Sequence, residues 1–408
     1  MVLPHRNRGN IPPPVNTRRH KQFLCYTIEG LNSFATVLYF TYLYFLLHDE
    51  FGFTNKANLA VAAFLGLVYA FAAWQGGKYG QRHGNFAALK LGFGLMAVAY
   101  VVASQLGTAA GQVAAAAVIS LGMCFTWPVL EALISEGESS KDIPRAVGLY
   151  NITWAWTNAV ALFTGGAIIE KLGYQSIYYL PLSIVLLQLA LTFWLEKVKL
   201  PIIETTSAQP PDPNRPSPAR IQNFLRLAWL ANPFAYIAIN TLIAVLPGVA
   251  VKFHLTPMFA GFACSLWGFV RLATFVVLWR WDGWHYRFRW LATAFALLVM
   301  SFTMILVLPN LWAVLAAQII FGAAIGLIYY SSLFYSMDAS DTKSEHGGIH
   351  EAAIGVGNCL GPAAGATALW LAPQNVNGGA WAVTGLLTLG FGGLLWLRRN
   401  TCAANPDK

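Results

Sequence analysis

The stretch Pro201–Arg220, PIIETTSAQPPDPNRPSPAR, divides the chain. It is rich in Pro, Ser and charge and has almost no apolar side chain to bury. Such a composition predicts a flexible linker, drawn here as residues 197–220. On both sides lie apolar runs long enough to cross about 30 Å of hydrocarbon. Before the linker they fall near residues 22–48, 57–76, 86–105, 109–135, 145–170 and 174–196. After it they fall near 221–248, 256–280, 289–308, 311–336, 346–372 and 377–397. The predicted fold is all-α: a polytopic membrane protein of about twelve transmembrane helices in two pseudo-symmetric six-helix halves, 22–196 and 221–397. Tails at 1–21 and 398–408 flank them. An even number of crossings returns the chain to its starting side, so both termini share one side.

Composition supports this division. The chain has 408 residues, 57% hydrophobic and 11% charged, with a mean hydropathy of +0.53. Soluble domains carry about 25% charged residues, so lipid must be part of the solvent. The net charge of +9 would fit nucleic acid, but its placement argues otherwise. Lys56, Lys171 and Lys252 fall on one side of the spans and Arg271 within one, while the remaining Lys and Arg gather on the side of the termini. The positive-inside rule makes that side cytoplasmic. The basic balance is therefore a topology signal, and nucleic acid is excluded as a partner.

Cys25, Cys124, Cys264 and Cys359 sit in apolar segments and Cys402 in a tail, without CxxC spacing. Neither a disulfide framework nor a metal site is expected. The basic, Pro-rich start, MVLPHRNRGNIPPPVNTRRHK, runs into an apolar stretch too long for a signal-peptide core. A cytoplasmic tail leading to an uncleaved first span of an inner-membrane protein is predicted.

The halves resemble each other. At an offset of about 200 residues Gly148 aligns with Gly348, Asn158 with Asn358 and Gly165 with Gly365. Duplicated halves around a midplane site are a common transporter architecture.

After the second span stands GGKYGQRHG, Gly76–Gly84. Gly77, Tyr79, Gly80, Arg82 and Gly84 match a glycine-rich, basic loop motif, in which glycines permit a tight turn and basic groups meet helix C-termini and anionic lipid. WRWDGWHYRFR, with Asp282, Gly283 and Arg287, echoes it after the eighth span. The eleventh span holds GVGNCLGPAAG, Gly355–Gly365, and the fifth only TGG, Thr164–Gly166. In these features and in its topology the whole chain resembles the major facilitator superfamily. That resemblance implies a secondary transporter with a central cavity lined by spans one, four, five, seven, eight, ten and eleven. In the family an acidic residue of the loop motif pairs across to the other half and latches one conformation. Gln81 stands at that position here, so a charge-based latch is not expected. The fourth-span arginine motif of proton-coupled members is also missing. No Walker sequence occurs, so the chain carries no ATPase of its own, and neither an enzyme nor a cofactor is expected.

A polar side chain inside hydrocarbon is costly, which makes each one a functional candidate. Glu29, Asn32, Thr36 and Tyr39 recur at helical spacing on one face of the first span. Trp127 and Glu131 follow in the fourth span, and Asn151, Trp154 and Asn158 in the fifth. The second half adds Asn240, Trp267, Arg271, Gln318, Tyr329, Tyr330, His350, Glu351 and Asn358. At about 1.5 Å rise per residue, Glu29, Glu131 and Glu351 lie about 9–12 Å to the cytoplasmic side of their span centres. Arg271 lies about one turn from its own, on the same side. One arginine against three carboxylates predicts that one Glu pairs with it.

Blander readings stand beside these. Glu29 and Glu131 are equally explained by hydrogen bonds within one half, and Glu351 by snorkelling to water. His350 fits an interfacial hydrogen bond, the asparagine pair a tie between helices, and Trp127 and Trp154 simple packing. The functional expectation is a monomeric, proton-coupled secondary transporter of a small solute. Glu29 or Glu131 carries the proton and Arg271 counterbalances it. The alternatives are an uncoupled facilitator of the same fold, and a transporter-like sensor or assembly factor that uses the basic N-terminal tail. The excess of Glu over Arg argues against highly anionic substrates.

Overall fold

The computed structural model describes residues 15–135, 143–197, 216–339 and 343–403. The first half comprises α1 (Val15–Phe51), α2 (Asn55–His83), α3 (Asn85–Ala103), α4 (Ala109–Ser135), α5 (Ile143–Leu172) and α6 (Ser176–Lys197). The second comprises α7 (Pro218–Ala244), α8 (Leu246–Lys252), α9 (Pro257–Cys264), α10 (Leu266–Arg280), α11 (Phe288–Val307), α12 (Leu311–Ala339), α13 (Lys343–Leu371) and α14 (Gly378–Ala403). Among the described residues twelve helical segments are long and apolar enough to cross a membrane. The chain is thus an all-α polytopic membrane protein, as its apolar runs predict.

Several boundaries differ from those predicted, each for a local reason. α1 begins at Val15, inside the stretch expected as a tail, directly after the Pro12–Pro14 run. Residues 1–14 and 198–215 lie outside the described residues, as does Cys402's side chain. α7 starts at Pro218, inside the expected linker, because Ser217 caps it by accepting from the Arg220 N–H at 3.4 Å. The seventh span ends sooner than predicted: Pro247 cannot donate to Ile243, so the helix breaks at Val245 and restarts as the short α8. The eighth is broken at Ser265, whose Oγ bonds the Phe262 carbonyl at 3.0 Å. At the other end of the chain α14 continues to Ala403.

The loop motif is also different from its reading as a tight turn. α2 runs unbroken through Gly77, Gly80, Gln81 and Arg82 to His83, and only Gly84 turns, with φ of +91°. Gly84 N–H closes the helix on the Gly80 carbonyl at 2.9 Å.

The two halves meet mainly where α2 lies along α13 and where α5 lies along α9 and α10. Glycines set these close approaches. A Cβ on Gly66 would lie 2.4 Å from the Asn358 carbonyl carbon, and one on Gly355 would lie 2.5 Å from the Ala70 Cα. Gly166 meets the Pro257 carbonyl in the same way. Large apolar side chains such as Phe71, Leu389 and Trp312 face outward. Exposed Trp74, Trp194 and Trp396 mark the end carrying the termini and Trp312, Trp370 and Trp381 the opposite end, which forms an aromatic belt at each.

Candidate functional site

A cavity of about 180 Å³ lies between the halves. Its first-half wall comes from Glu29, Ser33, Thr36, Phe40 and Tyr44 of α1, Trp127 and Glu131 of α4, and Tyr150, Trp154 and Asn158 of α5. The second half supplies Tyr236 and Asn240 of α7, Trp267 and Arg271 of α10, Tyr329 of α12, and Glu351 and Asn358 of α13. The second span lines it too, through Leu65, Gly66 and Tyr69, which the sequence reading did not anticipate.

The packing of α1, α4 and α13 around the cavity brings the three carboxyls together. Glu29 and Glu131 from the first half and Glu351 from the second stand near enough for their charges to interact. Glu29 accepts a hydrogen bond from Ser33 Oγ at 2.9 Å, one turn on, with Tyr150 and Trp127 presenting donors nearby. Glu351 does not snorkel: it is buried, and Tyr69 donates its hydroxyl proton to it across the two halves.

Arg271 makes no ion pair with any of these glutamates among the described residues, contrary to the pairing predicted for it. Its guanidinium lies over the ring of Trp154 at 4.6 Å and that of Trp267 at 5.0 Å. Trp154 is itself held, because its indole N–H donates to Asn151 Oδ1 at 2.8 Å, one turn away. The cavity therefore has an acidic pole and a separate cationic pole. Tyr236 and Tyr329 interact with both the acidic side and Arg271.

Of the residues singled out from sequence, Glu29, Thr36, Trp127, Glu131, Trp154, Asn158, Asn240, Trp267, Arg271, Tyr329, Glu351 and Asn358 share this cavity. The symmetric pair Asn158 and Asn358 does not join; Asn358 instead accepts from Asn240 between α7 and α13. The others lie outside the wall. Asn32 donates to Thr126 Oγ1 at 3.2 Å, and Asn151 only positions Trp154. Tyr39 is enclosed by Tyr100 and Tyr178 inside the first half. Gln318 bonds the Ala263 carbonyl at 2.9 Å, and Tyr330 packs on Phe275 and Trp284. His350 Nδ1 faces Ser332 Oγ at 3.5 Å. Sequence reasoning missed Tyr69, Tyr150 and Tyr236; Tyr150 and Tyr236 stand one turn before Trp154 and Asn240, a spacing that could have found them, whereas Tyr69 has only apolar neighbours at helical spacing. Among the described residues no group of three or more His, Cys, Asp or Glu is arranged to hold a metal ion.

Comparison with known proteins agrees with this architecture. A model of the Major Facilitator Superfamily matches residues 22–366. No curated protein sequence matches significantly. Among solved structures, the human organic anion transporter MFSD10 (TETRAN) superposes with a TM-score of 0.66 at 16% identity, over 94% of this chain and 100% of that one. A bacterial homologue of the human lysosomal transporter Spinster, solved inward-facing and unoccupied, gives 0.64 at 12% identity, over 96% of each chain. At such identities the likeness is one of fold. The family match spans most of the sequence, and the chain belongs to the Major Facilitator Superfamily.

Proposed function

We propose that the protein is a proton-coupled secondary transporter that moves a small solute through the central cavity by alternating access. It works as a monomer in the cytoplasmic membrane, with both termini in the cytoplasm. The observation that carries this reading is the convergence of Glu29, Glu131 and Glu351 from both halves on one cavity containing a single guanidinium. Three carboxylates against one cation leave an excess of negative charge that is costly away from water. Bound protons or a bound cation offset it, so the charge state of the cavity changes as it exchanges between the two sides. Tyr69 holds Glu351 at the seam between the halves, and we assign the proton to Glu29 and Glu131 of the first half. Arg271 limits the excess charge and does not quench it.

The test is uptake into proteoliposomes of a solute first found by thermal-shift screening at an acidic and a neutral pH. Glu29→Gln or Glu131→Gln is expected to abolish pH-driven uptake while counterflow persists. If both variants keep full pH-driven uptake, the assignment of the carriers fails. If the wild type exchanges solute with no dependence on the proton gradient, the protein is a facilitator of the same fold.

A further inference from the structure

We propose that the cavity recognises a small monocarboxylate with a flat apolar body, its carboxylate seated on the Nε–Nη2 edge of Arg271. This rests on the reading that the cavity is the solute site. Arg271 lines the cavity at 3% exposure, and its Nε and Nη2 have no hydrogen-bond partner among the described residues. The hydrogens on those two nitrogens lie along one edge of the guanidinium, at the spacing of the two oxygens of one carboxylate. The guanidinium carbon lies over the rings of Trp154 and Trp267, at 4.6 and 5.0 Å from their centroids. An indole ring offers a cation no lone-pair acceptor in these contacts, so the two N–H donors are left for a ligand. An unsatisfied buried guanidinium is costly, and among the described residues no carboxylate forms an ion pair with it. Both nitrogens are shielded from solvent in this conformation, so the anion reaches them as the cavity wall shifts.

Shape and charge narrow the class further. A cavity of about 180 Å³ walled by Trp154, Tyr236 and Tyr329 takes a single ring or a similarly flat body. A second anionic group on the ligand would face the pole of Glu29, Glu131 and Glu351, which excludes dicarboxylates. A phosphate monoester brings about −1.5 to −2 charge and is disfavoured on the same ground.

The test uses the full chain in detergent, with thermal shift and calorimetric titration of benzoate, nicotinate and indole-3-acetate. Benzamide, nicotinamide, benzylamine and phenyl phosphate serve as counterparts. The acids are expected to raise the melting point and the counterparts to leave it unchanged, a comparison that needs no variant. Arg271→Lys keeps the charge but not the paired donors and is expected to weaken benzoate about 10- to 100-fold. Arg271→Gln is expected to abolish its binding. The proposal is overturned if benzamide binds as well as benzoate, if Arg271→Gln binds benzoate like the wild type, or if no acid shifts the protein. Proton-driven uptake of benzylamine or benzamide would sink this inference and leave the transport reading standing. Tight benzoate binding with no uptake of any solute would do the reverse.

Discussion

Tyr69 and Glu351 stand 282 positions apart and belong to different halves, yet they meet in one buried hydrogen bond. Any movement that separates α2 from α13 must break it, so this contact is the residue-scale equivalent of a latch. Tyr69→Phe leaves a buried carboxyl oxygen without its donor, at a cost of about 1–3 kcal/mol. In an SDS-unfolding series, Tyr69→Phe and Glu351→Met should each destabilise, and the double variant should cost less than their sum by about 0.5–3 kcal/mol. Strict additivity would show that the two side chains do not interact. At this scale the sequence was only half legible. An intramembrane Glu or Arg announces itself, because hydrocarbon penalises it wherever it points. A tyrosine does not: its ring is at home in an apolar span, and Tyr69 gains meaning only from a partner on a distant helix. Arg271 shows the converse error, since counting charges predicted an acid partner where the fold supplied two indole faces.

Prolines inside spans decide how elements touch. Pro128 has no N–H, so the Cys124 carbonyl one turn earlier in α4 loses its helical donor. Gly76 of α2 sits directly on that carbonyl, where an added Cβ would lie 1.9 Å from the oxygen. Pro362 frees the Asn358 carbonyl of α13 in the same way, and Gly66 of the same α2 abuts it, a Cβ there falling 2.6 Å from the oxygen. α2 is therefore wedged between two proline-opened helices, one in each half, with only hydrogen atoms at the contacts. Gly66→Ala and Gly76→Ala should both lower thermal stability in detergent and impair uptake, because backbone cannot yield as a side-chain tip can. Gly94 of α3 has open space around it, so Gly94→Ala should leave both unchanged or raise stability by a few tenths to about 1 kcal/mol. Equal behaviour of all three variants would contradict the packing argument. The glycine and proline pattern of Gly355–Gly365 was readable from sequence as a site of close approach and bending. Its target was not, because nothing in a span's composition says which neighbour it faces. The stretch Gly76–Gly84 was misread as a turn for a related reason: glycines that allow a turn also allow helix contact, and here packing keeps the backbone helical to His83.

Over the whole molecule, lipid makes topology the most legible level. A backbone crossing hydrocarbon must satisfy its own hydrogen bonds, so each apolar run of sufficient length becomes a helix, and the count of twelve follows from the sequence alone. Which helices form the seam between halves does not follow, since every span is apolar and the seam is set by small residues and a few polar contacts. Charge adds the remaining dimension. At the end opposite the termini Lys56, Lys171 and Lys252 are matched by Asp49, Glu50 and Glu170. Lys252 is further tied down, donating to the Leu306 and Leu308 carbonyls at 3.0 and 2.8 Å. The end with the termini carries Lys78, Arg82, Arg145, Lys197, Arg280, Arg287 and Arg399, and most of the chain's Lys and Arg lie on that side. The proposed orientation, which follows the positive-inside rule, places that end in the cytoplasm. In a cysteine-free background, single cysteines at Lys56, Gly173 and His254 should react with a membrane-impermeant maleimide on intact cells. Those at His83, Arg280 and Arg399 should react only after permeabilisation. The reverse pattern would invert the proposed orientation, while labelling of both sets on intact cells would refute a twelve-span insertion.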